Sequence, residues 1–400
     1  TSVTDTDVTL SYDADWGNKD SHAPYTYDYF SETLRNRETF SQEFRLVSDL
    51  TDSNGNQSIE WVLGMSFFDV KESNLKKDDG IYGDPSDPYG PYASESSSSS
   101  NFSSKSFSLF GNLDYLINES TKISFGTRWE DYESDYDDSF GESFNPSDKM
   151  SGGKISLIKK LINDSNIFVS VARGYNQGGF NLNLGLAPES TNNNLYFDPE
   201  FLTNYELGIN SKFLDSKMNI AAVIFYSDRE DQQVLISKQV DPSDPNTFSF
   251  LTQNAAEGIN QGLEINMSMI VNESLDIFTN VGLLKTEIKN WKSRPDLEGR
   301  AQAHAPKKSY SFGMNWRPTN KTFLSIDIVG KSSFYYSDSH NNKSKSYALT
   351  NINYGYIKDE WTYTLWIRNA FDKYYSVRGF YFGNEAPNFE DTLYERHGDP

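Results

Sequence analysis

The chain contains no cysteine. That absence excludes a disulfide framework, cysteine-ligated zinc and thiol catalysis. Histidine is scarce as well: four in 400 residues, at 22, 304, 340 and 397. No His-x-x-x-His or His-Glu pairing, no Gly-x-Ser-x-Gly elbow and no phosphate loop occurs. No catalytic residue, metal ligand or cofactor is therefore assigned, and the chain is not expected to be an enzyme. Basic residues are in deficit, 36 Lys and Arg against 57 Asp and Glu, a net charge of −21. Nucleic acid is not an expected partner, because phosphate contacts need clustered Lys and Arg. No apolar run approaches the ~18 residues of a transmembrane helix. The first residues, Thr1-Ser-Val-Thr-Asp5, lack the basic-then-apolar pattern of a signal peptide.

Aromatic residues, by contrast, make up 15% of the chain, with 25 Tyr, 27 Phe and 7 Trp. Disordered chains carry few aromatics, so disorder is disfavoured. Apolar residues recur with period two. Ile123, Phe125 and Trp129 alternate with Ser124, Gly126 and Arg128; Tyr205, Leu207, Ile209 and Phe213 with Glu206, Gly208, Asn210 and Lys212. Leu263, Ile265, Met267 and Met269 alternate with Gly262, Glu264, Asn266 and Ser268; Tyr310, Phe312, Met314 and Trp316 with Ser309, Ser311, Gly313 and Asn315. This is the pattern of a sheet with one apolar and one polar face. Alternation alone leaves two readings open: a soluble sheet with a solvated face, and a membrane barrel with a polar lumen.

Connection lengths separate them. Short turns fall at Asn118–Ser120, Asn163–Ser165, Asp215–Lys217, Asn272–Ser274, Pro318–Lys321 and Lys358–Glu360, with a slightly longer one at Thr51–Gln57. Long polar segments lie between them, near 15–38, 73–104, 133–150, 176–200, 229–256, 288–306, 333–345 and 375–400. Short turns at one end and long loops at the other are the asymmetry of outer-membrane barrels. The expected fold is all-β, a transmembrane antiparallel barrel. About fifteen strands are expected, near 1–14, 38–50, 57–72, 105–117, 121–132, 151–162, 166–175, 201–214, 217–228, 257–271, 275–287, 307–317, 322–332, 346–357 and 361–374. Trp61, Phe67, Phe68, Trp129, Trp316, Tyr354, Tyr356 and Trp361 fall near strand ends, where interfacial girdles form, although β propensity alone also favours aromatics.

Several segments resemble the barrel of TonB-dependent outer-membrane receptors. They are Phe40-Ser-Gln-Glu-Phe-Arg-Leu-Val47, Val171-Ala-Arg-Gly-Tyr-Asn-Gln-Gly-Gly-Phe-Asn181, Pro199-Glu200 with Asn204-Tyr-Glu-Leu-Gly208, Gln261-Gly-Leu-Glu264 and Trp366-Ile-Arg-Asn-Ala-Phe-Asp-Lys-Tyr-Tyr375. Ala370 stands where the family pattern has Leu. The resemblance implies a barrel of about 22 strands, filled by a plug domain. The family's plug and energiser-binding box are not found here, and Arg396-His-Gly-Asp-Pro400 falls where the family's final strand would begin. Residues 1–400 are thus expected to be a partial barrel domain, open as a fragment, with the plug, the first strands and the last strand absent.

The resemblance further implies energised uptake, through the outer membrane of a Gram-negative bacterium, of a scarce nutrient such as a ferric siderophore or other iron complex. Its implied partners are outer-membrane lipid, a small-molecule nutrient or metal chelate, and a periplasmic TonB-type energiser reached through the missing N-terminal part. A passive porin and a soluble β-sheet adhesin or carbohydrate-binding protein are the alternatives. Candidate ligand residues lie in loops and at a strand exit: Tyr82, Tyr89, Tyr92, Arg173, Tyr175, Gln177, Trp291, Tyr335 and Tyr336. The glycines of the 173–180 run equally fit a strand-to-loop exit. The acidic stretch from Glu130 to Asp148 offers oxygen donors for Ca²⁺, but without EF-hand spacing a solvated loop is the simpler reading. Arg128 and Glu130 share the polar face and read as a lumen salt link.

Overall fold

In the computed structural model, the described residues are 1–15, 22–48, 59–162, 165–182, 195–239, 248–291, 294–338, 340–382 and 392–398. The Thr51–Gln57 turn and part of the Asn163–Ser165 turn lie outside them. The strands are β1 (Ser2–Asp13), β2 (Thr26–Val47), β3 (Ile59–Gly83), β4 (Tyr92–Asn118), β5 (Thr121–Asp138), β6 (Ser143–Phe144), β7 (Ser147–Lys160), β8 (Asn166–Asn176), β9 (Gly179–Phe180) and β10 (Tyr196–Phe197). They continue as β11 (Glu200–Phe213), β12 (Met218–Gln239), β13 (Phe248–Asn272), β14 (Leu275–Lys289), β15 (Lys308–Thr319), β16 (Thr322–Lys331), β17 (Tyr347–Lys358), β18 (Trp361–Ile367), β19 (Ser376–Phe382) and β20 (Thr392–His397).

One antiparallel sheet runs β1-β2-β3-β4-β5-β7-β8-β11-β12-β13-β14-β15-β16-β17-β18, with β6 pairing on β5. Each strand along this path pairs with its sequence neighbour in it, as hairpin connections require. β1 and β18 do not pair with each other, so the sheet is not closed. β9 with β10 and β19 with β20 form separate two-stranded ribbons.

Register carries the period-two pattern from strand to strand. Leu113, Phe125, Ile155, Val171, Tyr205 and Tyr226 stand opposite one another in succession. Leu207, Ile224, Leu263 and Leu283 form the next row, and Met314, Ile326, Ile352 and Ile367 continue the face. Leu207 is 50% exposed and Ile224 59%, so no second layer covers this face and a sandwich is excluded. Aromatic pairs edge the belt: Phe107 against Trp129 at 6.4 Å and Tyr205 against Tyr226 at 6.3 Å.

The opposite face is polar and internally bonded. Ser170 Oγ donates to Glu206 Oε2 at 3.1 Å, Ser227 Oγ to Asn204 Oδ1 at 2.8 Å and Asn351 Nδ2 to Asp327 Oδ2 at 2.8 Å. Four of its aromatics sit on glycine: Phe110 over Gly64, Phe168 over Gly208, Phe278 over Gly313 and Phe323 over Gly355, each where a Cβ would collide with the ring. Phe68 belongs to this face, since it lies opposite Ser41 and Ser106 rather than in the belt. It is therefore not a girdle residue of the apolar side.

Short turns gather at one end of the sheet, as expected. At the other end much of what reads as loop is strand. β3 and β4 stay paired out to Tyr82 and Tyr92, and β5, β12 and β13 extend into the 133–150 and 229–256 stretches. Beyond the belt both faces of a hairpin meet water, so the ladder persists while the alternation disappears. β18, by contrast, ends at Ile367 rather than 374. Asn369 and Asp372 take positive φ, and the Asn369 side chain closes the turn through Lys373 N at 2.9 Å.

The apolar belt is expected to meet lipid. Arg at Ile209 or Leu365 should cost ~2–4 kcal/mol of barrel stability near the bilayer midplane. Arg at Asn210 or Asn266, on the polar face, should be tolerated. Heat-modifiable gel mobility of the membrane-embedded protein distinguishes the two sets; equal damage at both would reverse the facing.

Candidate functional site

The polar face is most elaborated at the long-loop end, where the end of β8 turns over it. Gly152 on β7 makes room for this turn, and Gly153 beside it admits the β5 backbone. A Cβ on Gly152 would come within 2.6 Å of Arg173 O and 3.3 Å of the Tyr175 ring, and one on Gly153 within 2.7 Å of Gly126 O. Tyr175 thereby reaches the polar side, and its hydroxyl donates to Glu130 Oε2 at 2.9 Å. Arg128 Nε donates to the same oxygen at 3.0 Å, which makes the Arg128–Glu130 link a three-member group.

The chain then passes Gln177, whose side chain is exposed, and Gly178 N donates to Asp148 Oδ2 at 3.0 Å. Phe180 stacks on Phe144 at 5.0 Å and lies 5.3 Å from Tyr136 and 6.4 Å from Phe102. The returning segment is stitched to the β12–β13 hairpin. Gln233 Nε2 donates to Gln177 O at 2.7 Å and to Asp198 O at 3.1 Å, Asn254 Nδ2 donates to Asp198 O at 2.8 Å, and Asn181 exchanges two bonds with the Thr252 backbone. Glu200 accepts from Arg229 Nε at 2.7 Å and Gln233 N at 2.9 Å.

Burial pushes the Asp148 carboxyl above its usual range; the Gly178 amide opposes this and the neighbouring Asp198 charge adds to it. Arg173 does not join this group. It lies on the apolar side beyond the belt, 4.4 Å over the Phe201 ring and 3.3 Å from Glu230. It stands at the strand exit, away from the Tyr175–Glu130 group.

A second cluster closes two further loops. Trp291 and Leu297 are fully buried, packed with Ile288 and Val234. Trp291 is therefore a core residue of its loop and presents no surface to a ligand. Arg300 binds Asp338 Oδ1 at 2.7 Å, Asn341 Oδ1 at 2.9 Å and the His340 and Ser337 carbonyls, and lies 4.4 Å over the Tyr335 ring. Lys343 Nζ lies 4.1 Å from that ring centroid. Tyr336 is buried against Gly379 and donates to Glu395 Oε1 at 2.7 Å. Burial and that carboxylate push its hydroxyl up to about 12. Tyr336 is thus committed to joining two loops.

The third group is the end of the β3–β4 hairpin. Tyr89 is 85% exposed, while Tyr92 donates to Asp87 Oδ2 at 2.9 Å. Tyr27 stands 6.4 Å from Tyr82 and 4.8 Å from Tyr29. The nine candidate residues thus fall into separate groups, with Arg173 apart. Along β5 the carboxylates Asp131, Glu133, Asp135 and Asp137 share one face and Glu130 and Asp138 the other, and Asp138 Oδ1 caps the turn through Phe140 N and Glu142 N. Among the described residues no group of three or more His, Asp or Glu side chains is gathered to hold a metal. Phe102, Tyr136 and Phe144 were not singled out by sequence, their signal being an aromatic recurring in otherwise polar stretches, while Phe180 entered only as the end of the 173–180 run.

An antiparallel sheet with an apolar belt, a bonded polar face and long structured hairpins at one end defines the class of outer-membrane β-barrels. The chain belongs to the TonB-dependent receptor-like β-barrel family, whose model matches residues 1–370. This family consists of transporters rather than enzymes. A probable TonB-dependent siderophore receptor, PiuA, of Acinetobacter baumannii is 26% identical over 198 residues, 48% of this chain and 25% of that protein. Among solved structures, the ferric yersiniabactin uptake receptor FyuA of Yersinia pestis superposes with a TM-score of 0.67 at 18% identity, over 94% of this chain and 58% of that one. BauA, the ferric preacinetobactin receptor of Acinetobacter baumannii, gives 0.65 at 15%, over 99% and 58%. The chain therefore spans a quarter of the curated relative and a little over half of these solved receptors.

Two outcomes are expected. Trp291→Ala should destabilise the 290–307 loop by ~3–5 kcal/mol, as for other buried Trp, and open it to protease while the belt strands stay protected. Asp148→Asn should flatten the pH dependence of stability. The folded pKa of Asp148 is raised, so its protonated form favours the fold; that advantage is full below the unfolded value and falls as pH rises through the folded one. Thermal melts at acid and neutral pH check this.

Proposed function

We propose that the protein works in the outer membrane of a Gram-negative bacterium as a receptor for energised uptake of a ferric siderophore or another small iron complex. The observation that carries this reading is the pairing of a barrel-family sheet with a long-loop end whose polar face is lined by charged, amide and aromatic side chains. In this reading the belt meets lipid and the long hairpins face the exterior. Residues 1–400 supply part of the barrel domain, and a plug and the contact with a TonB-type energiser lie in the remainder of the receptor. The siderophore receptors among its relatives support the substrate class. Tyr175, Gln177 and the exposed Tyr82, Tyr89 and Tyr92 are the candidates retained for ligand contact.

Uptake of radio-iron as a siderophore complex by iron-starved cells tests the reading. Uptake should fall on deletion of the gene and on collapse of the proton-motive force. Uptake that survives that collapse would instead indicate a passive porin, and uptake unaffected by deletion would remove the protein from iron transport.

A further inference from the structure

Across β8, β11, β12, β13 and β14 the apolar face carries a groove of about 730 Å³. The groove follows one register row: Ser170 stands opposite Glu206, Glu206 opposite Phe225, Phe225 opposite Gly262 and Gly262 opposite Leu284. Side chains of that row point to the polar face, so on the apolar side it presents only backbone, which is the floor. The two neighbouring rows point outward and form the walls. Toward the short turns the wall is Val169, Leu207, Ile224, Leu263 and Leu283. Toward the long-loop end it is Val171, Tyr205, Tyr226, Gln261 and Lys285.

The second wall changes character along its length. It is apolar or aromatic as far as Tyr226 and polar from Gln261 onward. Barrel strands tilt by ~35–45°, so a row at right angles to them crosses an apolar belt obliquely. One end of the groove therefore lies within the belt and the other climbs out of it. At the end that climbs out, Lys285 and Lys307 line the groove, and Lys308 stands opposite Leu283. All three lysines are exposed. Lys285 Nζ lies 3.7 Å from Glu287 Oε2, while among the described residues Lys307 and Lys308 form no ion pair. Three neighbouring lysines with one carboxylate among them make a local positive site on a chain of net charge −21.

We propose that this groove binds one anionic lipid, with an acyl chain between the apolar walls and a headgroup phosphate on Lys285, Lys307 and Lys308. The groove has the polarity of such a molecule, apolar at one end and cationic at the other. Five strands about 4.8 Å apart give it a length of about 19 Å, comparable with half of a ~30 Å hydrocarbon core. Lysine stems can lie along apolar surface while their ammonium groups reach the headgroup level. Tyr205 and Tyr226, 6.3 Å apart, stand where the wall passes from apolar to polar, a boundary that suits an amphipathic ring. Attraction of anionic lipid to clustered Lys supplies the selectivity, and the walls supply the burial. The proposal rests on the membrane placement in the functional reading and not on iron uptake, since it uses none of the residues retained for ligand contact.

The test is native mass spectrometry of the full-length receptor in detergent after addition of bis-phosphorylated lipid A, with zwitterionic phosphatidylcholine and inorganic phosphate as comparisons. The expected result is one lipid A retained per receptor monomer, in preference to phosphatidylcholine and undisturbed by phosphate. Retention should weaken at least roughly tenfold when Lys285→Gln, Lys307→Gln and Lys308→Gln are combined. Leu207→Trp, which fills the groove and leaves the charges in place, should weaken it as well. Lys105→Gln is the control, an exposed lysine of β4 outside the groove with Glu133 at 3.8 Å, and should change nothing. Heat-modifiable mobility of each variant reports separately on the barrel, so a folded barrel that fails to retain lipid overturns this proposal and leaves the functional reading standing. Equal retention of phosphatidylcholine, displacement by inorganic phosphate, no effect of the combined lysine substitutions, an equal effect of Lys105→Gln, or a lipid-free dimer with a second copy in the groove would each overturn it.

Discussion

The constraint on which this structure depends is the pairing of backbone N–H and C=O groups where no water can reach them. In hydrocarbon each unpaired group costs several kcal/mol, so a strand that crosses must bond to neighbours on both sides. Once the backbone is committed to the ladder, side chains have only two directions left. Those opposite one another in register, such as Phe125, Ile155, Val171 and Tyr205, must then all be apolar together, because they share one solvent. The polar face follows from the same geometry. It tolerates Phe110, Phe168, Phe278 and Phe323 because each lies flat on a glycine of the adjoining strand, which covers backbone otherwise left open.

That constraint also marks where sequence is legible. The Leu263–Met269 and Tyr205–Phe213 stretches disclose their strands because one face is obliged to be apolar. Past the belt the obligation lapses. Ser94 to Ser100 carry no alternation, yet they hold a continuous ladder against Asn74 to Gly80. Water solvates both faces there, and the hairpin persists on backbone pairing that no side-chain pattern records. The Asn369–Asp372 turn erred in the other direction: its aromatic neighbours suggest strand, while positive φ at Asn369 and Asp372 ends it.

The site was less legible than the fold for a related reason. A tyrosine or tryptophan in a polar segment has the same sequence signature whether it edges a membrane, fills a loop core or meets a ligand. Trp291 fills a core, Tyr336 joins two loops through Glu395, and Tyr89 stands free. Three-dimensional partners alone separate these fates. Charged residues are similarly ambiguous. Arg128 and Glu130 disclosed their common face through spacing, whereas Arg173, two residues from a glycine-assisted inward turn, stays on the apolar side with Phe201 and Glu230.

The division of labour between belt and long-loop end has a functional consequence. In the proposed membrane setting the belt answers to lipid, and any apolar side chain of suitable size satisfies it. The polar segments answer to one another: Asn181 to Thr252, Gln233 to Gln177 and Asp198, Arg300 to Asp338 and Asn341. Such contacts are directional, and a substitution on one side leaves a donor or acceptor unpaired on the other. The long-loop end therefore holds a defined shape through pairwise complementarity, while the belt holds only an average polarity. Selectivity for a small ligand requires fixed donors and acceptors, so it must be built where the structure fixes them. In the proposed receptor reading, the stitched polar surface around Tyr175 and the loops tied by Arg300 are the surfaces with that property.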